Sequence, residues 1–135
     1  MMIARSLCIG AALLACTSVH GQNYPVRAVR LVVPYVPGGG TDFTARVIAP
    51  KLSEALGQQV VVENRPGGGT VTATRLVAES KPDGYTIYVA DPAIYFNPFL
   101  LSKLPYDAVR DFAPIAPVST SSTSMLVVHP SLPVR

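Results

Sequence analysis

The chain has 135 residues, 49% of them hydrophobic and 14% charged, with 13 prolines, 10 glycines and a formal net charge of +3. That length suits one small domain rather than two, and the low charge excludes a disordered solvating tail. Lys and Arg are scattered singly, without interleaved aromatics, which excludes nucleic acid as the expected partner.

Residues 1–21 read as a secretory signal peptide. Arg5 is its positive end, residues 7–15 are an apolar run too short for a stable span, and small residues follow. Cleavage after Gly21 would send the mature chain to the periplasm. A second cut is open, because Leu13-Leu14-Ala15-Cys16 resembles a lipobox that would leave Cys16 as a lipid anchor. Both cysteines, Cys8 and Cys16, lie in this segment, so the mature chain must hold together by its core rather than by disulfides.

Residues 28–34 are a near-continuous apolar run, the pattern of a parallel strand covered on both faces. Residues 35–40 form a glycine loop, and Thr41 or Asp42 is expected to cap a helix running to Leu56. Phe43, Val47, Ile48, Leu52 and Leu56 would be its apolar face, Pro50 a kink, and Gly57 the left-handed stop. The pattern then repeats: a strand at 59–63, a loop ending in Gly67-Gly68-Gly69, a helix at 70–80, a turn at 82–84 and a strand at 85–90. This alternation predicts an α/β domain with a parallel sheet, crossover helices and both glycine loops at one carboxyl edge. Residues 91–106 read as irregular, with a turn at Asn97-Pro98. One helical turn is expected at 107–112 and short strands at 113–118 and 125–129, joined by a hydroxyl-rich stretch at 119–124.

The first glycine loop admits several readings. A P-loop requires a lysine that is absent after Gly40. A dinucleotide fingerprint is satisfied by Gly38 and Gly40 but not by Phe43, where a third glycine would allow close helix packing, although Glu63 lies at the spacing of a ribose ligand. A nucleotide-binding enzyme fragment therefore stays as an alternative. A small carboxylate needs only exposed N–H groups at a helix head, with glycines that let it approach. A plain tight turn is the remaining possibility. Catalytic machinery is not visible: His129 is the single histidine beyond the leader, and no nucleophile elbow or Cys/His cluster occurs, so neither catalysis nor a cofactor nor a metal is expected.

Several ordered motifs add to this reading. Tyr24-Pro25, Val33-Pro-Tyr-Val-Pro-Gly-Gly-Gly-Thr-Asp42, Ala45-Arg46, Val60-Val-Val-Glu-Asn-Arg-Pro-Gly67, Pro82-Asp-Gly-Tyr-Thr86, Asn97-Pro98, Leu104-Pro-Tyr-Asp107 and Asp111-Phe-Ala-Pro-Ile115 follow one another. Together they closely resemble the substrate-binding proteins of tripartite tricarboxylate transporters, the Bug family. The resemblance implies a periplasmic two-lobed receptor of the type II binding-protein fold, which closes on a small carboxylate and delivers it to membrane permease subunits. It implies ligand contacts from Pro37, Gly38, Gly39, Gly40, Thr41 and Asp42, from Ala90, Asp91 and Ala93 after the third strand, and from Ser121, Ser122 and Thr123. Residues 22–118 would be an incomplete first lobe, and 119–135 the crossover toward a second. Asp91-Pro92 departs from the small or hydroxyl residues usual there, which makes an amino-acid-like solute an alternative to a plain carboxylate. Family members run to about 300 residues, a two-domain length, so a half-cleft is expected to bind weakly, and a half-receptor acting as an interaction partner is a further alternative.

Overall fold

The computed structural model describes residues 24–119. Three strands, β1 (Val29–Val33), β2 (Val60–Asn64) and β3 (Thr86–Tyr88), form a parallel sheet in the order β2-β1-β3. The most apolar strand takes the middle: Val29, Val32 and Val33 are fully buried and Leu31 nearly so. A strand paired on both edges and covered on both faces is built mainly of apolar side chains; its one polar residue, Arg30, is partly exposed and pairs with Glu63 of β2.

Helix α1 (Gly40–Leu56) connects β1 to β2, and α2 (Val71–Ala78) connects β2 to β3 after a 3-10 turn at Gly68–Thr70. Val29, Leu31 and Val33 share one core with Ala45 and Ala49 of α1, Val60 and Val89, while Ile48, Leu52, Leu56 and Ile87 pack around it. On the opposite face Val32 lies beside Tyr88 in register, and the Tyr88 hydroxyl is 3.0 Å from Thr74 Oγ1 on α2, where Ala73 and Thr74 are fully buried.

The α1 face differs from the expected one. Ile48, Leu52 and Leu56 do pack inward, but Phe43 and Val47 are 69% and 55% exposed, and Ala45 and Ala49 take the central contacts. Small side chains there let the helix axis lie close to the sheet, which leaves no room for larger ones. The N-cap is Gly39 in extended conformation, not Thr41 or Asp42. Pro50 is exposed within one continuous helix, and Gly57 ends it at φ 65°, as expected.

Helix α2 begins one residue later and ends two earlier than its pattern suggested, and β3 is confined to three residues, although the Val89 N–H still donates to the Val32 carbonyl. The larger correction is α3 (Ala93–Leu100), which occupies the segment read as irregular and contains both Asn97 and Pro98. A residue before proline disfavours helix. Here the buried Asn97 side chain donates to the Gly69 carbonyl at 2.9 Å, and that tertiary bond overrides the local preference. A single turn closes at 107–111, where the Asp111 N–H donates to the Asp107 carbonyl. Residues 113–118 form no strand. The expected leader, the strand at 125–129 and His129 lie outside the described residues.

Candidate ligand-binding edge

All three strands point their carboxyl ends to one edge of the sheet, so the segments that leave them converge there. From β1 the chain passes through Pro34, Tyr35, Val36 and Pro37 to the three glycines. Gly38 adopts φ +89°, a region that L-residues avoid, and this turns the backbone back into α1. Gly39 and Gly40 have ordinary φ values. A Cβ on Gly40 would meet nothing within 4 Å, and one on Gly39 only the Val36 carbonyl at 3.7 Å. The fold therefore does not require glycine at position 40; open space lies in front of it.

Asp42 organises this loop. Its carboxylate is buried and accepts from the Gly38 N–H at 2.9 Å, from Arg46 Nε at 2.8 Å and from Asn64 Nδ2 at 2.9 Å. Asn64 Nδ2 also donates to the Tyr35 carbonyl, and Arg46 Nη2 donates to Asn64 Oδ1. One carboxylate thus ties the loop, the first turn of α1 and the end of β2. The Arg46 guanidinium, followed by the Gly38 N–H and Asn64, holds the Asp42 carboxyl well below the usual carboxylate range. An acid in a first turn commonly satisfies the helix head itself. This one reaches past it to Gly38; among the described residues no side chain caps α1, and the N–H groups of Gly39, Gly40 and Thr41 carry no hydrogen bond. Pairing with Arg46 also keeps the Asp42 charge from cancelling the partial positive charge of those groups.

The second glycine loop is built differently. Gly67, Gly68, Gly69 and Thr70 all have positive φ, and Thr70, at 77°, is the single non-glycine residue among those described to do so. Asn97 donates to the Gly69 carbonyl and to the Tyr106 hydroxyl at 3.3 Å, and lies 3.5 Å from Thr70 Oγ1. The loop is thereby packed against α3. Asn97 was missed as an organising residue, although it is the one polar side chain in the helix AIYFNPFL and that isolation was a usable signal.

The third segment brings Ala90, Asp91 and Ala93 to the same edge. The ladder ends with Val32 beside Tyr88 and the Val89 N–H on the Val32 carbonyl, and beyond it the Asp91 carboxylate comes near the Tyr35 hydroxyl. Asp91 Oδ1 accepts from the Ala93 N–H at 2.9 Å, closing a side-chain turn just ahead of α3, whose N-cap is Pro92. Burial and then the Asp91 charge push the Tyr35 hydroxyl up, and burial pushes Tyr88 up to about 12. Of the expected contact residues, Pro37 to Asp42 and Ala90 to Ala93 therefore share one edge, with the Asp42 carboxylate turned to internal bonds. Ser121, Ser122 and Thr123 lie outside the described residues. Two concavities, about 370 Å³ beside the C-terminal end of α3 and 190 Å³ beside Arg27 and Arg30, are lined by other residues than the glycine loop. Among the described residues no three His, Cys, Asp or Glu side chains gather as a metal set.

A parallel α/β sheet with an uncapped, glycine-fronted helix head at its carboxyl edge is the framework of a small-molecule binding lobe. Residues 44–135 match the family described as tripartite tricarboxylate transporter family receptor, and the chain belongs to that family. A UPF0065 protein of Bordetella pertussis is 38% identical over 134 residues, which are 98% of this chain and 41% of that protein. The chain thus spans about two fifths of that relative's length. The periplasmic binding protein BugD superposes with a TM-score of 0.66 at 40% identity, covering 68% of this chain and 31% of that one. Two Rhodopseudomonas palustris structures, Rpa4515 with adipate and MatC with bound malate, each superpose at a TM-score of 0.60. They are 42% and 38% identical, over 63% and 67% of this chain and 29% and 31% of theirs.

Proposed function

We propose that this chain forms the first-lobe part of an exported receptor that holds a small carboxylate for a membrane permease. In this reading residues 1–21 are the export leader, 22–118 the lobe and 119–135 the crossover. The observation that carries it is the uncapped head of α1, with open space before Gly40 and the Asp42 charge already paired to Arg46. The N–H groups of Gly39, Gly40 and Thr41 supply the donors, Gly38 and Pro37 shape the loop, and Asp42 positions it. Ala90, Asp91 and Ala93 line the second side, and this reading assigns the crossover's ligand contacts to Ser121, Ser122 and Thr123. The structures of relatives holding adipate and malate support a carboxylate as the ligand class.

Gly40→Ala tests this. The methyl meets no protein atom and the helix tolerates it, so thermal stability should stay within about 1 kcal/mol of the parent or rise. The same methyl occupies the approach path of a carboxylate oxygen, and titration calorimetry with malate and adipate should show at least about tenfold weaker binding. Equal affinity in parent and variant would place the carboxylate elsewhere.

One observation favours association as a second role. Phe96, Phe99 and Leu100 on α3 are 61%, 88% and 75% exposed, an apolar face suited to a covering surface. Size-exclusion chromatography supports this if the chain elutes as a discrete dimer, and a clean monomer argues against it.

A further inference from the structure

The eight carboxylates of the sequence all fall within the described residues. Asp42, Glu54, Glu63, Glu79, Asp83 and Asp107 each pair with a Lys or Arg within 4 Å. Asp91 and Asp111 have no such partner there, and Asp111 instead accepts the Asp107 N–H within an exposed turn. On the edge that also carries the glycine loop, Asp91 is the carboxylate that no cation among the described residues pairs with. Its Oδ1 is fixed by the Ala93 N–H, and its carboxylate lies near the hydroxyl of Tyr35, two residues before Pro37. Asp91 lies three residues past the end of β3, and the bond from the Ala93 N–H, not the strand ladder, holds its carboxylate in place.

That placement sets a condition on the ligand. A second carboxylate brought to this side of the site would meet a fixed negative charge in a partly desolvated setting, which is repulsive. An ammonium group there would gain a charge-assisted hydrogen bond and leave the edge neutral on that side. The α1 head offers the opposite preference, since its N–H groups take an anion. The two elements are complementary to opposite ends of one small molecule.

We infer that Asp91 is a specificity-determining residue that selects an amino acid, its carboxylate on the α1 head and its ammonium on Asp91, over a dicarboxylic acid of equal size. This rests on the receptor reading above and narrows its ligand class. The matched probes are malate against aspartate and adipate against 2-aminoadipate, titrated into the full chain and into Asp91→Asn and Asp91→Ser. Both variants retain an acceptor for the Ala93 N–H, so the turn ahead of α3 survives while the charge is lost. In the parent the amino member of each pair should bind roughly ten- to hundredfold more tightly, the scale of one charge-assisted bond. In both variants that ratio should fall to near one. A parent that binds malate or adipate at least as tightly as its amino counterpart overturns the inference and leaves the receptor reading intact. A ratio that survives in Asp91→Asn and Asp91→Ser overturns it as well, since another group would then read the ammonium. Absence of binding of all four acids to parent and variants overturns both readings together.

Discussion

Replacing Asn97 by Ala should be among the most damaging single changes available on α3, and the structure indicates its size. The side chain is 6% exposed and its Nδ2 makes two sound bonds, to the Gly69 carbonyl at 2.9 Å and to the buried Tyr106 hydroxyl at 3.3 Å; the 3.5 Å approach to Thr70 adds little. Each neutral bond contributes about 0.5–1.5 kcal/mol net, and leaving a buried acceptor without a donor costs toward the upper end. Gly69 is itself exposed, so water recovers part of its share. The sum is about 2 kcal/mol, or about 10 °C in melting temperature for a domain of this size. Thermal unfolding followed by circular dichroism reads this directly. Phe99→Ala serves as the reference, because that residue lies two positions away on the same helix but is 88% exposed, and its melting temperature should stay close to the parent's. The reasoning fails if Asn97→Ala melts within about 2 °C of the parent, or if the two variants lose stability equally.

The observed face of α1 gives a second contrast. Ala45→Leu should overpack the contact with the sheet and cost about 1–3 kcal/mol, whereas Phe43→Ser should change stability by less than about 0.5 kcal/mol. Chemical denaturation of the pair decides between this face and the one drawn from hydrophobicity alone. A third prediction concerns acid. Arg30 and then Arg65 hold the Glu63 carboxyl below its ordinary value, so the folded state binds its proton less readily than the unfolded chain. The stabilisation is complete above the unfolded value of about 4.3 and is lost as pH falls through the lower folded value. Melting of parent and Glu63→Gln between neutral pH and about pH 3 should show a gap that closes as the acid titrates. A gap that is constant across that range would mean that the Arg30 and Arg65 contacts do not depend on the charge.

The fold class was legible because β1 and β2 are short apolar runs and Gly57 is a stop with one conformational use. The first glycine loop was legible for the same reason: three glycines between an apolar run and a helix leave few options. What periodicity could not show was which side of α1 faces the sheet. Phe43 and Val47 outweigh Ala45 and Ala49 in any hydrophobic sum, yet close approach to β1 requires the alanines. Nor could local propensity find α3, where Asn97 and Pro98 look like punctuation. Asn97 is helical because of partners at Gly69 and Tyr106, which are distant along the chain or fixed only after packing. The sequence suggests Asp42 as a helix cap or a ligand contact, and the structure turns its carboxylate to the loop instead. Its internal role depends on Asn64, and nothing in the sequence pairs those two residues before β1 and β2 lie side by side.

The central position of β1 also governs the order in which this domain can assemble. Its partners in the sheet begin at Val60 on one side and Thr86 on the other, so neither pairing is available locally when β1 is made. Closure of such loops precedes any reward from the contacts, which makes folding slow compared with helical bundles of similar size. An intermediate with β1 and β2 joined through α1 would still expose the row of N–H and C=O groups that β3 later covers, at the most apolar strand of the molecule. During synthesis that edge stays open until residues past Tyr88 are free to fold. The interval before β3 docks is therefore when this chain is most prone to pair with another copy of itself.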